Sequence, residues 1–115
     1  MDKRTNKKIS DYIAFVASQN RGLVKAYLFG SYAKKTNTKD SDIDLALIIE
    51  GVDDNERFDL QVQLMLFASD FDIRIEPHPI SGKEFTINNP FAVEIIKTGI
   101  EIEPSTPETW YKNEI

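Results

Sequence analysis

The chain has 115 residues, with 14 Lys and Arg against 19 Asp and Glu for a net charge of −5, and no cysteine. That length suits one domain with its own core, and the missing cysteines exclude a disulfide framework or a thiolate metal site. The acidic balance lacks the electrostatic footprint of a protein that tracks a long nucleic-acid backbone.

Apolar residues at Ile9, Tyr12, Ile13 and Val16 recur at helical spacing and predict an amphipathic first helix over about 6–20. The run from Leu23 to Phe29 reads as a strand that stops at Gly30, and Ser31 opens a short helix or turn. A second strand is expected over 43–49, buried on both faces because its apolar run is continuous. Asp53 and Glu56 have capping-box spacing ahead of a helix that runs to about 69 through Phe58, Leu60, Val62, Leu64, Met65, Leu66 and Phe67. Alternation over 71–76 predicts a third strand, with Asp72, Arg74 and Glu76 on one face and Ile73 and Ile75 on the other.

Ser81 and Glu84 repeat the capping spacing for a short helical turn. A last helix begins at Pro90 and ends at Gly99, and Ile100 and Ile102 suggest a small fourth strand. Methionines and phenylalanines at helical positions are read as core. His78, the single histidine, lies between Pro77 and Pro79 and reads as part of a rigid extended connection, with contact to a nucleotide base or acceptor as the lesser alternative. Residues 1–103 form the expected domain; residues 104–115, with Trp110 and Tyr111, read as a polar, mobile tail. No apolar stretch approaches the roughly 20 residues of a membrane helix. The basic start over 1–8 lacks the apolar segment of a secretory signal, so a cytoplasmic protein with no membrane partner is expected.

The chemistry concentrates in one stretch. Gly30-Ser31 closes the first strand, and after a polar gap Asp42-Ile43-Asp44 opens the second. Side chains alternate along a strand, so Asp42 and Asp44 share one face, and Ile43 and Leu45 share the other. Parallel carboxylates at a strand end suit Mg²⁺, a hard ion that prefers oxygen ligands and keeps positions free for phosphates. A Gly-Ser turn supplies backbone N–H groups and a hydroxyl, the donors that a phosphate cradle needs. Taken singly, Asp-x-Asp is a solvated strand start and Gly-Ser an ordinary turn; their order and spacing carry the signal. Lys25, Lys34, Lys35 and Lys39 lie near the motif in sequence and together could lend positive charge, although any one of them reads first as part of a solvated loop or strand edge.

This constellation resembles the nucleotidyltransferase superfamily that includes DNA polymerase beta and kanamycin nucleotidyltransferase, and within it the minimal (MNT) domains. The resemblance implies a single α/β (α+β) domain with a small mixed sheet and helices packed against it. It implies catalytic carboxylates at Asp42 and Asp44 with a third at Asp72, Glu76 being the reserve, and metal held by Asp42, Asp44 and Asp72. It places nucleotide phosphates on Gly30 and Ser31, with Lys34 where the family has arginine, and gives Arg74 a carboxylate or a phosphate to hold. The cofactors implied are two Mg²⁺ ions, or Mn²⁺, and an NTP donor, ATP first. The usual turn is Gly-Ser-x-Ala-Arg-Gly, whereas this chain has Lys34-Lys35, which leaves the turn geometry open.

The activity implied is transfer of NMP to a hydroxyl on a protein or small molecule with release of pyrophosphate. Larger relatives carry a second, helical domain for the acceptor, and 115 residues leave no room for one. The missing surface is expected from a HEPN-type toxin partner or a homo-oligomer. The alternative reading is a binding module, antitoxin-like or nucleotide-sensing, with little or no catalysis.

Overall fold

The structure, a computed structural model, describes residues 2–103. The tail expected over 104–115 lies outside the described residues. The first helix, α1 (Lys3–Gln19), starts earlier than its apolar pattern suggests because Asp2 caps it, its Oδ1 accepting from the Thr5 N–H at 2.7 Å. Then come β1 (Leu23–Phe29), the one-turn α2 (Ser31–Lys34) and β2 (Ile43–Ile49). Next are a 3-10 turn at Asp54–Glu56, α3 (Arg57–Ser69), β3 (Ile75–Ser81), α4 (Pro90–Thr98) and β4 (Ile100–Ile102).

The four strands form one mixed sheet in the order β3-β2-β1-β4. β1 is antiparallel to both β2 and β4, while β2 and β3 run parallel. Residues of α1 (Ile9, Tyr12, Ile13, Val16) and α3 (Leu64, Ala68) pack with one face of the sheet, on Leu28, Ile43, Leu45, Leu47 and Ile75. The Tyr12 hydroxyl ties the two helices together by donating to the Leu64 carbonyl at 2.9 Å, and burial pushes its pKa up. The other face is smaller: Tyr27, Ala46, Ile48 and Ile80 pack with Ile95 of α4, and Phe29 and Phe85 close its margin. With both faces covered, β2 has the continuous apolar sequence Leu45-Ala46-Leu47-Ile48-Ile49. Among the described residues no helix is long and apolar enough to cross a membrane.

Four expectations need correction. The third strand begins at Ile75, not at residue 71; residues 71–74 form turns, so Asp72 and Arg74 do not share a strand face with Glu76. Pro77 and Pro79 lie within this strand, where they are tolerated because β3 is an edge strand and their missing N–H groups face away from β2. Asp53 precedes the 3-10 turn but makes no side-chain cap hydrogen bond, so the capping box is not formed. Ser81 and Glu84 bound turns over 82–84 rather than a helix. Finally, not all helical methionines and phenylalanines are core: Phe58, Met65 and Phe91 are exposed, as are Val62 and Leu66.

Candidate active site

β2 fixes the first carboxylates. Ile43 and Leu45 are fully buried beneath the sheet, which turns Asp44 to the smaller face. Asp42 lies just before the strand and is exposed; the backbone between the two aspartates is pinned by the Ile43 N–H, which donates to the Arg74 carbonyl at 2.8 Å. In the antiparallel pairing Asp44 faces Phe29, so the end of β1 and the start of β2 meet at Gly30. Gly30 has φ 74° and ψ −152°, a region open essentially to glycine alone. A Cβ there would stand 2.5 Å from Asp44 Oδ2. The glycine is therefore required twice, by its own backbone and by the carboxylate beside it. Ser31 follows at the start of α2 and is partly exposed.

Parallel pairing brings the third carboxylate. Asp44 is in register with Glu76, and Ala46 with His78. One donor atom from each of Asp44, Glu76 and His78 can be chosen so that all three lie within 4.8 Å of one another. His78 Nε2 is 3.1 Å from Asp44 Oδ1. Glu76 titrates above its ordinary value, chiefly because its protonated form donates to the Asp42 carboxylate. Burial and the charges of Asp42 and Asp44 push the same way, and His78 opposes them. A cation among these carboxylates would offset the like charge that Glu76 meets there.

Asp72 is elsewhere in its bonding. Its carboxylate takes the Arg74 guanidinium through two nitrogens, at 3.0 and 2.7 Å, and the Arg74 backbone N–H at 2.9 Å. Lys8 Nζ stands 3.7 Å away. Those bonds to Arg74 hold its pKa down at about 2. Arg74 thus fills one of its two expected roles, that of holding a carboxylate, and donates further to the Tyr32 hydroxyl at 2.8 Å and to Thr5 Oγ1 at 3.3 Å. Lys34 reaches Glu94 of α4 at 3.6 Å, with both side chains about half exposed. Lys25 pairs with Ile48 at the far end of β1, about 16 Å of strand away from Gly30.

Sequence reasoning undervalued His78. A lone histidine between prolines carries no local signal; the parallel register that sets it beside Asp44 is visible only in the sheet. It also missed the rings around it: Phe29 lies 5.1 Å from the imidazole and Phe91 6.5 Å, centroid to centroid. A cleft of about 510 Å³ lies at the opposite end of β2, lined in part by Asn20, Glu50, Glu56 and Asp59, and contains none of the predicted site residues.

A mixed sheet whose antiparallel pair is joined through a Gly-Ser helix, with helices packed on both faces, is a nucleotidyltransferase fold. The chain belongs to the polymerase beta nucleotidyltransferase family: the family model described as "Polymerase beta, Nucleotidyltransferase" matches residues 8–104. No curated protein matches the chain. Among solved structures it is similar to a candidate nucleotidyltransferase from Sulfolobus solfataricus, at 20% identity and a TM-score of 0.57, over 88% of this chain and 86% of that one. It is also similar to a toxin–antitoxin structure with AMP-PNP, at 24% identity and a TM-score of 0.56, over 80% of this chain and 70% of that one. A third similar structure is the toxin–antitoxin MntA-HpeT carrying two Asp-to-Glu substitutions, at 22% identity and a TM-score of 0.55 with the same coverage. At these identities the likeness speaks for the fold.

Proposed function

We propose that the protein is a Mg²⁺-dependent nucleotidyltransferase that moves NMP from an NTP, ATP first, to a hydroxyl of a protein or small molecule in the cytoplasm. The observation that carries this reading is the contact of Gly30 with Asp44 beside Glu76: a turn able to cradle phosphate touches a cluster of carboxylates able to take a cation. The donor set fits, with Asp42, Asp44 and Glu76 as the residues that would hold the metal. Glu76 takes the place first given to Asp72, whose carboxylate is engaged by Arg74. When bound, divalent ions supply charge neutralisation on the triphosphate and activation of the attacking oxygen.

The chain's own part is positioning. Backbone N–H groups at Gly30 and Ser31, with the Ser31 hydroxyl, would bind the terminal phosphates and aim the α-phosphorus at the carboxylates. Glu76, in register with Asp44 at the reacting end of the sheet, is placed to take the acceptor's proton. The acceptor oxygen bonds to the α-phosphorus, the α–β bridge breaks, and pyrophosphate leaves. The neighbours' descriptions support an adenine nucleotide and a toxin partner, which for this chain we take to be HEPN-type or replaced by a second copy. They also favour a second reading, in which the domain acts on its partner by binding alone.

Calorimetry with ATP, GTP, CTP and UTP, with and without Mg²⁺, tests the site. Metal-dependent binding of one NTP that Asp42→Asn and Asp44→Asn both abolish is the expected outcome. Absence of NTP binding by the folded protein, or full binding by the Asp44→Asn variant, would sink the assignment. Toxin neutralisation that survives Asp44→Asn would select the binding module.

A further inference from the structure

We infer that His78 is a direct ligand of the ion held by Asp44 and Glu76, and that it makes this position prefer Mn²⁺ to Mg²⁺. The inference rests on the reading that these carboxylates bind a divalent ion, and goes beyond it in naming a nitrogen ligand and its consequence.

The separations come close to those of one coordination sphere. In a six-coordinate ion with bonds of about 2.1 Å, adjacent ligand atoms stand about 3 Å apart and opposite ones about 4.2 Å. Asp44 Oδ1 and His78 Nε2 are 3.1 Å apart, the separation of adjacent ligands, and a Glu76 oxygen lies within 4.8 Å of both, so a small side-chain rotation of Glu76 brings it into the same sphere. The same 3.1 Å serves as a hydrogen bond while the imidazole Nε2 carries a proton. An ion entering between the two residues takes the place of that proton, which passes to Nδ1 through water or leaves to solvent, and needs little movement of either side chain.

The imidazole is held for this. Pro77 and Pro79 fix φ on either side of it. Its register partner is Ala46, whose single methyl leaves the ring room to lean toward Asp44. Phe29 contacts it edge-on at 5.1 Å and packs in turn on Phe91 at 5.5 Å, so the ring is backed by two aromatics. His78 remains about one-third exposed and Asp44 about one-quarter, which leaves an entry path. Mg²⁺ gives up water reluctantly and keeps to oxygen donors, whereas Mn²⁺, which also takes carboxylate oxygens, is the softer ion and accepts an imidazole nitrogen more readily. A nitrogen in the set therefore shifts preference away from Mg²⁺.

Mn²⁺ titrated into the full chain, followed by electron paramagnetic resonance, reads this without turnover. The expected result is Mn²⁺ bound at least about tenfold more tightly than Mg²⁺ in competition, with nitrogen modulation from a directly bound imidazole. His78→Gln, which can still donate to Asp44, should lose the nitrogen signal and bind Mn²⁺ about tenfold more weakly, with Mg²⁺ affinity changed less than twofold. Bound Mn²⁺ without nitrogen modulation in the wild-type protein overturns the role of His78 and leaves the carboxylate site standing. Equal weakening of both ions by His78→Gln likewise overturns the selectivity. A wild-type protein that binds neither ion overturns the inference and the metal reading together. Should the variant not fold, the wild-type spectrum decides alone.

Discussion

Lys35 stands at φ 61° and ψ 31°, left-handed backbone, where the family's turn has glycine. Its N–H groups the end of α2 by donating to the Ser31 and Tyr32 carbonyls, a bond that glycine makes equally well. An L-residue in that conformation costs about 1–2 kcal/mol, part of which glycine loses again through the entropy of the unfolded chain. Lys35→Gly should therefore stabilise the domain by about 0.5–1 kcal/mol, read as a higher urea midpoint with an unchanged slope; a lower midpoint would mean that the lysine side chain contributes more than its backbone loses. At this scale the sequence was legible where a residue's chemistry is local. Gly30, Asp42 and Asp44 announce themselves by spacing, and the structure puts Gly30 against Asp44. His78 could not be read in the same way, because its significance comes from Asp44, 34 positions away in sequence.

Among the elements, β1, β2 and α4 are where their patterns placed them, since each is an apolar run closed by glycine, aspartate or proline. β3 was displaced by four residues because two patterns compete there. Alternation over 71–76 mimics a strand, and two prolines argue against one over 75–81; the edge position of β3 removes the objection. α3 shows a different ambiguity. Its apolar residues lie on both sides, and sequence alone cannot say which side meets the sheet. Leu64 and Ala68 are buried, whereas Phe58, Val62, Met65 and Leu66 are exposed. Truncation should separate the sides: Leu64→Ala, at 1% exposure, should cost about 2–5 kcal/mol, and Leu66→Ala, at 65%, about 0.5 kcal/mol or less. Reversed losses at the two positions, measured by urea unfolding at low protein concentration, would mean that α3 packs with its other side inward.

At the level of the whole molecule, distant segments are joined by a polar knot under the site rather than by apolar packing alone. Arg74 binds Asp72 beside β3, Tyr32 in α2 and Thr5 in α1, and its carbonyl fastens the start of β2. The segments that carry Gly30, Ser31, Asp42, Asp44 and Glu76 thus meet at one residue, Arg74, through its guanidinium or its backbone. Asp72 is the charged partner at its centre, with its side chain only 6% exposed and flanked by Arg74 and Lys8. Its pKa of about 2 lies below the ordinary 3.8, so the folded state holds the ionised form more strongly than the unfolded chain does. Protons therefore favour unfolding in this window. The contribution is complete above about pH 4 and disappears as pH falls through about 2. The difference of nearly two pKa units corresponds to about 2 kcal/mol. Asp72→Asn removes that titration while keeping an acceptor for Arg74, so its stability should fall by about 2 kcal/mol less than the wild type's between pH 4 and pH 2. Urea unfolding at several acidic pH values measures both curves, and the comparison cancels the other carboxylates common to the two proteins. Parallel curves would show that Asp72 is no more strongly held when folded than when unfolded, and the knot would then owe its strength to the hydrogen bonds of Arg74 with Tyr32 and Thr5.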